Sequence, residues 1–368
     1  MADRSWLWCR GFVASVALII ALLGCEAGDD TAGASTGDDM RTGSLRWLQR
    51  EWRGMKKYEW LASNSAPSGC PMELVDGEFI FPNKGSLYIP HTTVHQGWGQ
   101  KVSLHVVGAD TKSLPDSMNI TFYSYLEDKF YRGSFQLPHE RIADLFAEGF
   151  TLYPFKRPPQ QITYNAIVAG VAPGGAVSVW VSGIRKQVEV FFGHAMEASL
   201  DWHTSMRMPE YVERETVRKN TIANAASTDP LVAEMQSALP LGLWASYRTR
   251  YVWQPRFEGL NQPIRVDAIK YLNGEREYLE LPLDLPAQRS PRAVPHYIEF
   301  NTGTTGAYNV TFDETEALAL FPRLGRNDTP LELVFRYRPE SNERTVLLRN
   351  AHESVAFEHV KIEIFAGG

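Results

Sequence analysis

The chain has 368 residues, with 37 Lys and Arg against 43 Asp and Glu and a net charge of −6, which is not the balance of a nucleic-acid binder. Mild acidity permits a basic partner without implying one. The length is ample for one large hydrophobic core or two moderate ones.

The first 24 residues place Arg4 and Arg10 ahead of an apolar run from Gly11 to Leu23, the charge-then-apolar order of a secretory signal. That run is shorter than the ~20 helical residues a bilayer core requires, so it reads as a cleaved segment rather than a membrane span. It ends in Leu22-Leu23-Gly24-Cys25, which resembles the bacterial lipobox. The resemblance implies that Cys25 becomes the first mature residue and carries acyl chains on and beside its sulfur. Several chains together make such an anchor effectively permanent. Glu26 stands where an Asp would favour inner-membrane retention, which points to the outer membrane. With Cys9 removed and Cys25 acylated, Cys70 is the one remaining thiol, and no intramolecular disulfide is expected in the mature chain.

Residues 25–44 read as a lipidated tether of Gly, Ala, Thr, Ser and Asp, with a typical span of about 25 Å. Leu45, Leu48, Trp52 and Met55 then fall at helical spacing among basic residues, either a short helix docked on the body or one resting on anionic lipid. From Tyr58 the period changes to alternation. Asn119–Leu126 sets Ile120, Phe122 and Ser124 against Thr121, Tyr123 and Tyr125. Val177, Val179 and Val181, then Val188, Val190 and Phe192, repeat the pattern after the Pro173-Gly174-Gly175 turn. A helix is expected from Pro138 to Phe146, and another after Thr228-Asp229-Pro230, with Leu231, Met235 and Leu239 on one face. A hairpin runs from Ile264 to Tyr271 and from Glu275 to Leu281, turning at Asn273-Gly274. A helix at Asp313–Phe321 then precedes a strand at Leu331–Tyr337 and the terminal alternation of Val360, Ile362 and Ile364.

These elements make a mainly β protein with a few short helices. The expected organisation is two tandem β-sandwich-like modules, residues 45–203 and 241–368, joined by a helical linker at 204–240. Tyr125-Leu126 resembles Tyr271-Leu272, and Leu145-Phe146 resembles Leu320-Phe321. The two offsets differ, so a drifted duplication and chance similarity both remain open.

The one Gly-x-Ser-x-Gly pattern, Gly33–Gly37, lies in the tether, where no strand-to-helix elbow can form. No phosphate-binding loop, dinucleotide fingerprint or zinc helix is present, and no cofactor or metal is expected. Cys70 has no His or Asn nearby in sequence and reads as a packed thiol. His91 with His95, and His194 and His203 around Glu197 and Asp201, are the nearest approach to ligand sets, without a helix to align them. Asp116, Glu127, Asp128 and Glu140 read as solvated caps. The distinctive surface candidate is Tyr247–Arg256. Read as one strand, it puts Tyr247, Tyr251 and Trp253 on one face and Arg248, Arg250 and Arg256 on the other, either a binding hot spot or a core strand with paired arginines. Trp98, between Gly97 and Gly99, is a second candidate.

The lipobox, Gly97-Trp98-Gly99, Leu114-Pro115-Asp116, Ser124–Tyr131, Leu137-Pro138, Pro173-Gly174-Gly175 with Trp180, and Gly242–Arg248 form an ordered set of short stretches. Together they resemble a proteobacterial lipoprotein family known as domain of unknown function 2931. The family brings no established activity and no catalytic residues. Its members look like periplasm-facing lipoproteins, some resembling immunity proteins encoded beside phospholipase effectors. The leading expectation is therefore a membrane-anchored, non-catalytic protein-binding module, with the resemblance pointing to an antagonist of a delivered phospholipase-type toxin. A structural or assembly lipoprotein of the cell envelope is the alternative, and an enzyme with an unrecognised site the third reading.

Overall fold

The computed structural model describes residues 56–153, 157–260, 264–279, 289–302 and 306–365. The signal segment, Cys25, the tether and the 45–55 spacing pattern lie outside the described residues. Within them the chain is mainly β, organised around three large sheets of nine, six and five strands.

The nine-stranded sheet runs through both halves. Its first part is Leu61–Ser65, Ala166–Ala172, Ala176–Ser182 and Gln187–His194, and its second is Arg276–Leu279, Arg265–Tyr271, Pro295–Asn301, Ala307–Phe312 and Val360–Phe365. The two parts meet through one residue pair, Gln187 opposite Arg276. A six-stranded sheet, with Met72–Ile80, Ser117–Ser124 and Lys129–Gln136 at its centre, covers one face of the first part. The two close over Met72, Phe79, Phe122, Tyr131 and the valines 177, 179 and 181. A five-stranded sheet, Ser290–Arg292, Tyr251–Glu258, Leu331–Arg338, Glu343–Arg349 and Ser354–Ala356, covers the second part over Trp253, Ile269, Ile298, Phe300, Phe321 and Leu333.

The halves repeat one topology. In the first, Leu61–Ser65 pairs in parallel with Ala166–Ala172, and a sheet built on Met72–Ile80, Ser117–Ser124 and Lys129–Gln136 is followed by helix α1, His139–Glu148. In the second, Tyr251–Glu258 pairs in parallel with Leu331–Arg338. There Arg265–Tyr271, Pro295–Asn301 and Ala307–Phe312 are followed by a helix at Glu314–Leu324. Leu145-Phe146 and Leu320-Phe321 occupy equivalent helices, as their sequence similarity suggests. Tyr125-Leu126 and Tyr271-Leu272 do not correspond: the first follows the second strand of its sheet, the second follows the first strand of its own. Between the halves lie four helices, α2 Trp202–Met206, α3 Arg214–Thr228, α4 Leu231–Ser237 and α5 Leu243–Ser246; α6 is Glu314–Leu324. Asp201 and Asp313 accept from Thr204 N–H and Glu316 N–H, each at 2.8 Å, and so cap α2 and α6. Helix α3 covers the outer face of the six-stranded sheet, where Tyr123, Tyr125 and Phe130 meet Trp202, Ile222 and Ala225. Both faces of the Asn119–Leu126 alternation are therefore buried.

Two local readings change. Tyr247 to Arg250 is not strand: Tyr247 caps α5 in a helical conformation and the strand begins at Tyr251, because the Leu243–Ser246 turn continues into it. Phe192 does not share the valine face. A register shift between Val179 and Trp180 places Phe191 opposite Val179, so Phe191 packs in the first core and Phe192 in the second.

Candidate functional site

The face of the first half turned away from its valine core has an unusual composition. Cross-strand partners put Ser65 beside Gly170 and Ser178, and Trp180 beside Val168, with Ser182 and Gln187 next in line. The Asn273-Gly274 turn of the second half closes on this polar face. Gln187 donates through Nε2 to Gly99 O at 2.7 Å and Gly274 O at 2.6 Å, and Trp180 Nε1 donates to Asn273 O at 2.9 Å. Gly99 and Gly274 approach so closely that a Cβ on Gly274 would sit 2.9 Å from Gly99 Cα and 3.0 Å from the Trp180 ring. Gly274 also has φ +81°, so no other residue fits. Trp98 stands edge-on to Trp180 at 4.9 Å. Gly99 therefore serves a seam between the halves, and the neighbouring Trp98 ring is half-buried there.

The candidate arginines divide between this seam and the outer sheet. Arg250 pairs with Glu275 at 2.7 Å, and Glu275 also accepts from Glu189 N–H at 3.0 Å. Arg248 pairs with Glu189 at 3.3 Å and lies 4.9 Å above the Phe192 ring. Burial pushes the Glu189 carboxyl up, and the Ser178 hydroxyl and Arg248 oppose that rise. Arg256 is on the outer face of the five-stranded sheet with Glu258, Glu332 and Arg336, where Arg349 bridges Glu258 at 3.1 Å and Glu332 at 2.6 Å. Tyr247 and Trp253 are core side chains: Tyr247 donates its hydroxyl to Glu314 at 2.5 Å, and Trp253 donates Nε1 to Ala293 O at 3.0 Å. The six candidate residues thus do not form one patch.

Nor do the candidate chemical groups converge. Cys70 is fully buried, and desolvation, with Glu127 and Asp229 nearby, pushes its thiol up to about 12, the opposite of an activated nucleophile. His91 faces Asp76 at 3.8 Å and His95 faces Asp229 at 3.9 Å, two separate carboxylates. His194 rests against Phe192, His203 Nδ1 is 3.1 Å from Pro209 O, Glu197 pairs with Lys129 and Asp201 caps α2. No metal-ligating cluster occurs among the described residues. Of the four carboxylates expected as caps, Glu140 lies in the first turn of α1 and Asp116 accepts from Ser117. Glu127 holds Gly174 N–H and the Tyr131 hydroxyl, and Asp128 holds Arg214 and the Tyr123 hydroxyl.

A strip of exposed and part-exposed side chains does emerge around the Pro173–Gly175 turn. Leu241, 61% exposed, packs over Gly174; His194 is opposite Ala176; Ala195 N–H bonds Gly175 O; and Met196, 76% exposed, follows. Phe192 and Arg248 continue the strip from His194. Apart from Arg248 these residues lack a sequence signature. Exposed Met and Leu acquire meaning only when folding gathers them around one turn.

The family model described as "Protein of unknown function (DUF2931)" matches residues 42–230. No curated protein matches the chain, and no solved structure does.

Proposed function

We propose that this chain, which belongs to the DUF2931 family, works as a membrane-anchored lipoprotein of the cell envelope that binds a protein partner without catalysing a reaction. The anchor reading rests on the signal-like leader and the lipobox at Cys25. The observation that carries the binding reading is the strip of Leu241, His194, Met196, Phe192 and Arg248. It combines two prominently exposed apolar side chains with an aromatic ring and an arginine on a welded framework. Met, aromatics and Arg are the side chains enriched in interface cores. Tethering holds such a surface near the membrane, the place to intercept a delivered phospholipase-type toxin, the partner class suggested by the family resemblance. A structural or assembly role in the envelope would use the same surface for a resident partner.

The test is affinity isolation of the acylated protein, comparing wild type with Met196→Asp/Leu241→Asp. A stoichiometric partner that is lost from the variant, while the melting temperature is unchanged, is the expected result. Equal recovery of every partner by both proteins would remove the strip from the proposal. Labelling with a palmitate analogue checks the anchor, and a Cys25→Ser protein that labels as well as wild type would refute it.

A further inference from the structure

The seam contacts bring three cations together on the side away from the second core. Gly99 and Gly274 are locked by Gln187, and two residues beyond each are Lys101 and Arg276. Arg276 is opposite Lys270 across its hairpin, and Lys270 is opposite Tyr297 on the next strand, with its ammonium 4.5 Å from that ring. All three basic residues are part-buried, and none makes an ion pair among the described residues. The Arg276 guanidinium reaches Gly183 O at 3.4 Å through one nitrogen, while its Nε is buried without a hydrogen-bond partner. Neighbouring carboxylates are engaged elsewhere: Asp267 with Arg265 and Arg185, Glu275 with Arg250, and Glu277 with Arg292. Glu299 is near Lys270 and accepts from the Tyr297 hydroxyl.

Burial and the adjacent guanidinium hold both lysines below the usual ammonium range, and burial alone holds Arg276 below its own. Like charges gathered in a partly desolvated place destabilise the fold unless an anion joins them. A guanidinium with an unpartnered Nε–H and two lysines near enough to feel its charge supply the kind of donors that a tetrahedral oxyanion takes.

We propose that Lys101, Lys270 and Arg276 form a phosphate-binding site at the seam, which takes a phosphate group and thereby clamps the first half to the second. The group comes from either a soluble phosphate compound or an anionic phospholipid headgroup, two sources with the same chemistry.

The experiment uses the mature Cys25→Ser chain, so that acyl chains do not contribute. Melting is measured in inorganic phosphate against sodium chloride at equal ionic strength, for wild type and Lys101→Gln/Lys270→Gln. Wild type should gain about 1–3 °C in millimolar phosphate. The variant should melt higher than wild type in chloride, because repulsion is relieved, and should show no phosphate response. Co-sedimentation with phosphatidylglycerol vesicles, against phosphatidylcholine vesicles, separates the sources. Lysine-dependent sedimentation with the anionic vesicles assigns the headgroup, and a phosphate shift without sedimentation assigns a soluble compound. Identical melting of wild type in the two salts together with no vesicle binding overturns the site, as does a variant that keeps the full response.

Discussion

Replacing Arg250 with Ala distinguishes a partner-facing arginine from one that welds the seam. On the surface reading its truncation should leave stability almost unchanged, since exposed pairs contribute about 0–1 kcal/mol. The structure argues otherwise. Its partner Glu275 is 8% exposed, lies beside the buried Glu189 and has its other oxygen committed to Glu189 N–H. Breaking a buried pair costs about 3–5 kcal/mol because a charge is left uncompensated. Arg250 itself is 40% exposed, so water partly replaces the guanidinium and the expected loss falls to about 2–3 kcal/mol. Urea titration followed by tryptophan fluorescence is a suitable assay, because Trp98 and Trp180 sit in the seam. A double-mutant cycle with Glu275→Gln should recover at least about 1 kcal/mol of coupling. An Arg250→Ala protein within about 0.5 kcal/mol of wild type, or a cycle with no coupling, would refute this reasoning.

Other expectations follow from the same geometry. Cys70 should resist thiol reagents at pH 8 in the folded protein and react only as it unfolds, because burial removes access and raises the thiol to about 12; rapid labelling under native conditions would contradict this. Burial also raises the Glu314 carboxyl above its ordinary value, with Asp313 and Glu234 adding to the rise and the Tyr247 hydroxyl opposing it. A raised carboxyl binds its proton more tightly in the folded state, so this contribution is complete below the unfolded value of about 4.3 and is lost as pH rises through the folded value. Glu314→Gln should therefore flatten that part of the pH dependence and gain relative stability at pH 8 over pH 5, as chemical denaturation at the two pH values would show; an unchanged profile would count against it.

The local elements were largely legible because period and capping chemistry act over a few residues. The helix at Asp313, the hairpin at Asn273-Gly274 and the strand at Leu331 are where the pattern places them, within a few residues. Helical continuation through Tyr247 and the slip at Val179 were not legible, because alternation extends across a helix end or a bulge without marking it. Trp98 could be read as exposed or buried until the Gly99–Gly274 contact was known, and that contact joins residues far apart in sequence. The exposed strip is harder still. Leu241 lies over Gly174 and Met196 follows the residue that bonds Gly175, so only the fold brings both to one turn, and a lone Met or Leu carries no signal.

The binding role is tested most directly inside the cell, by placing a photo-crosslinking amino acid at Met196, at Leu241 and, as a control at the exposed start of the Glu343–Arg349 strand, at Glu343. A single partner captured from both strip positions and absent from Glu343 is the expected result. Capture from Glu343 alone, or no capture at the strip from a protein that is folded and acylated, would contradict it.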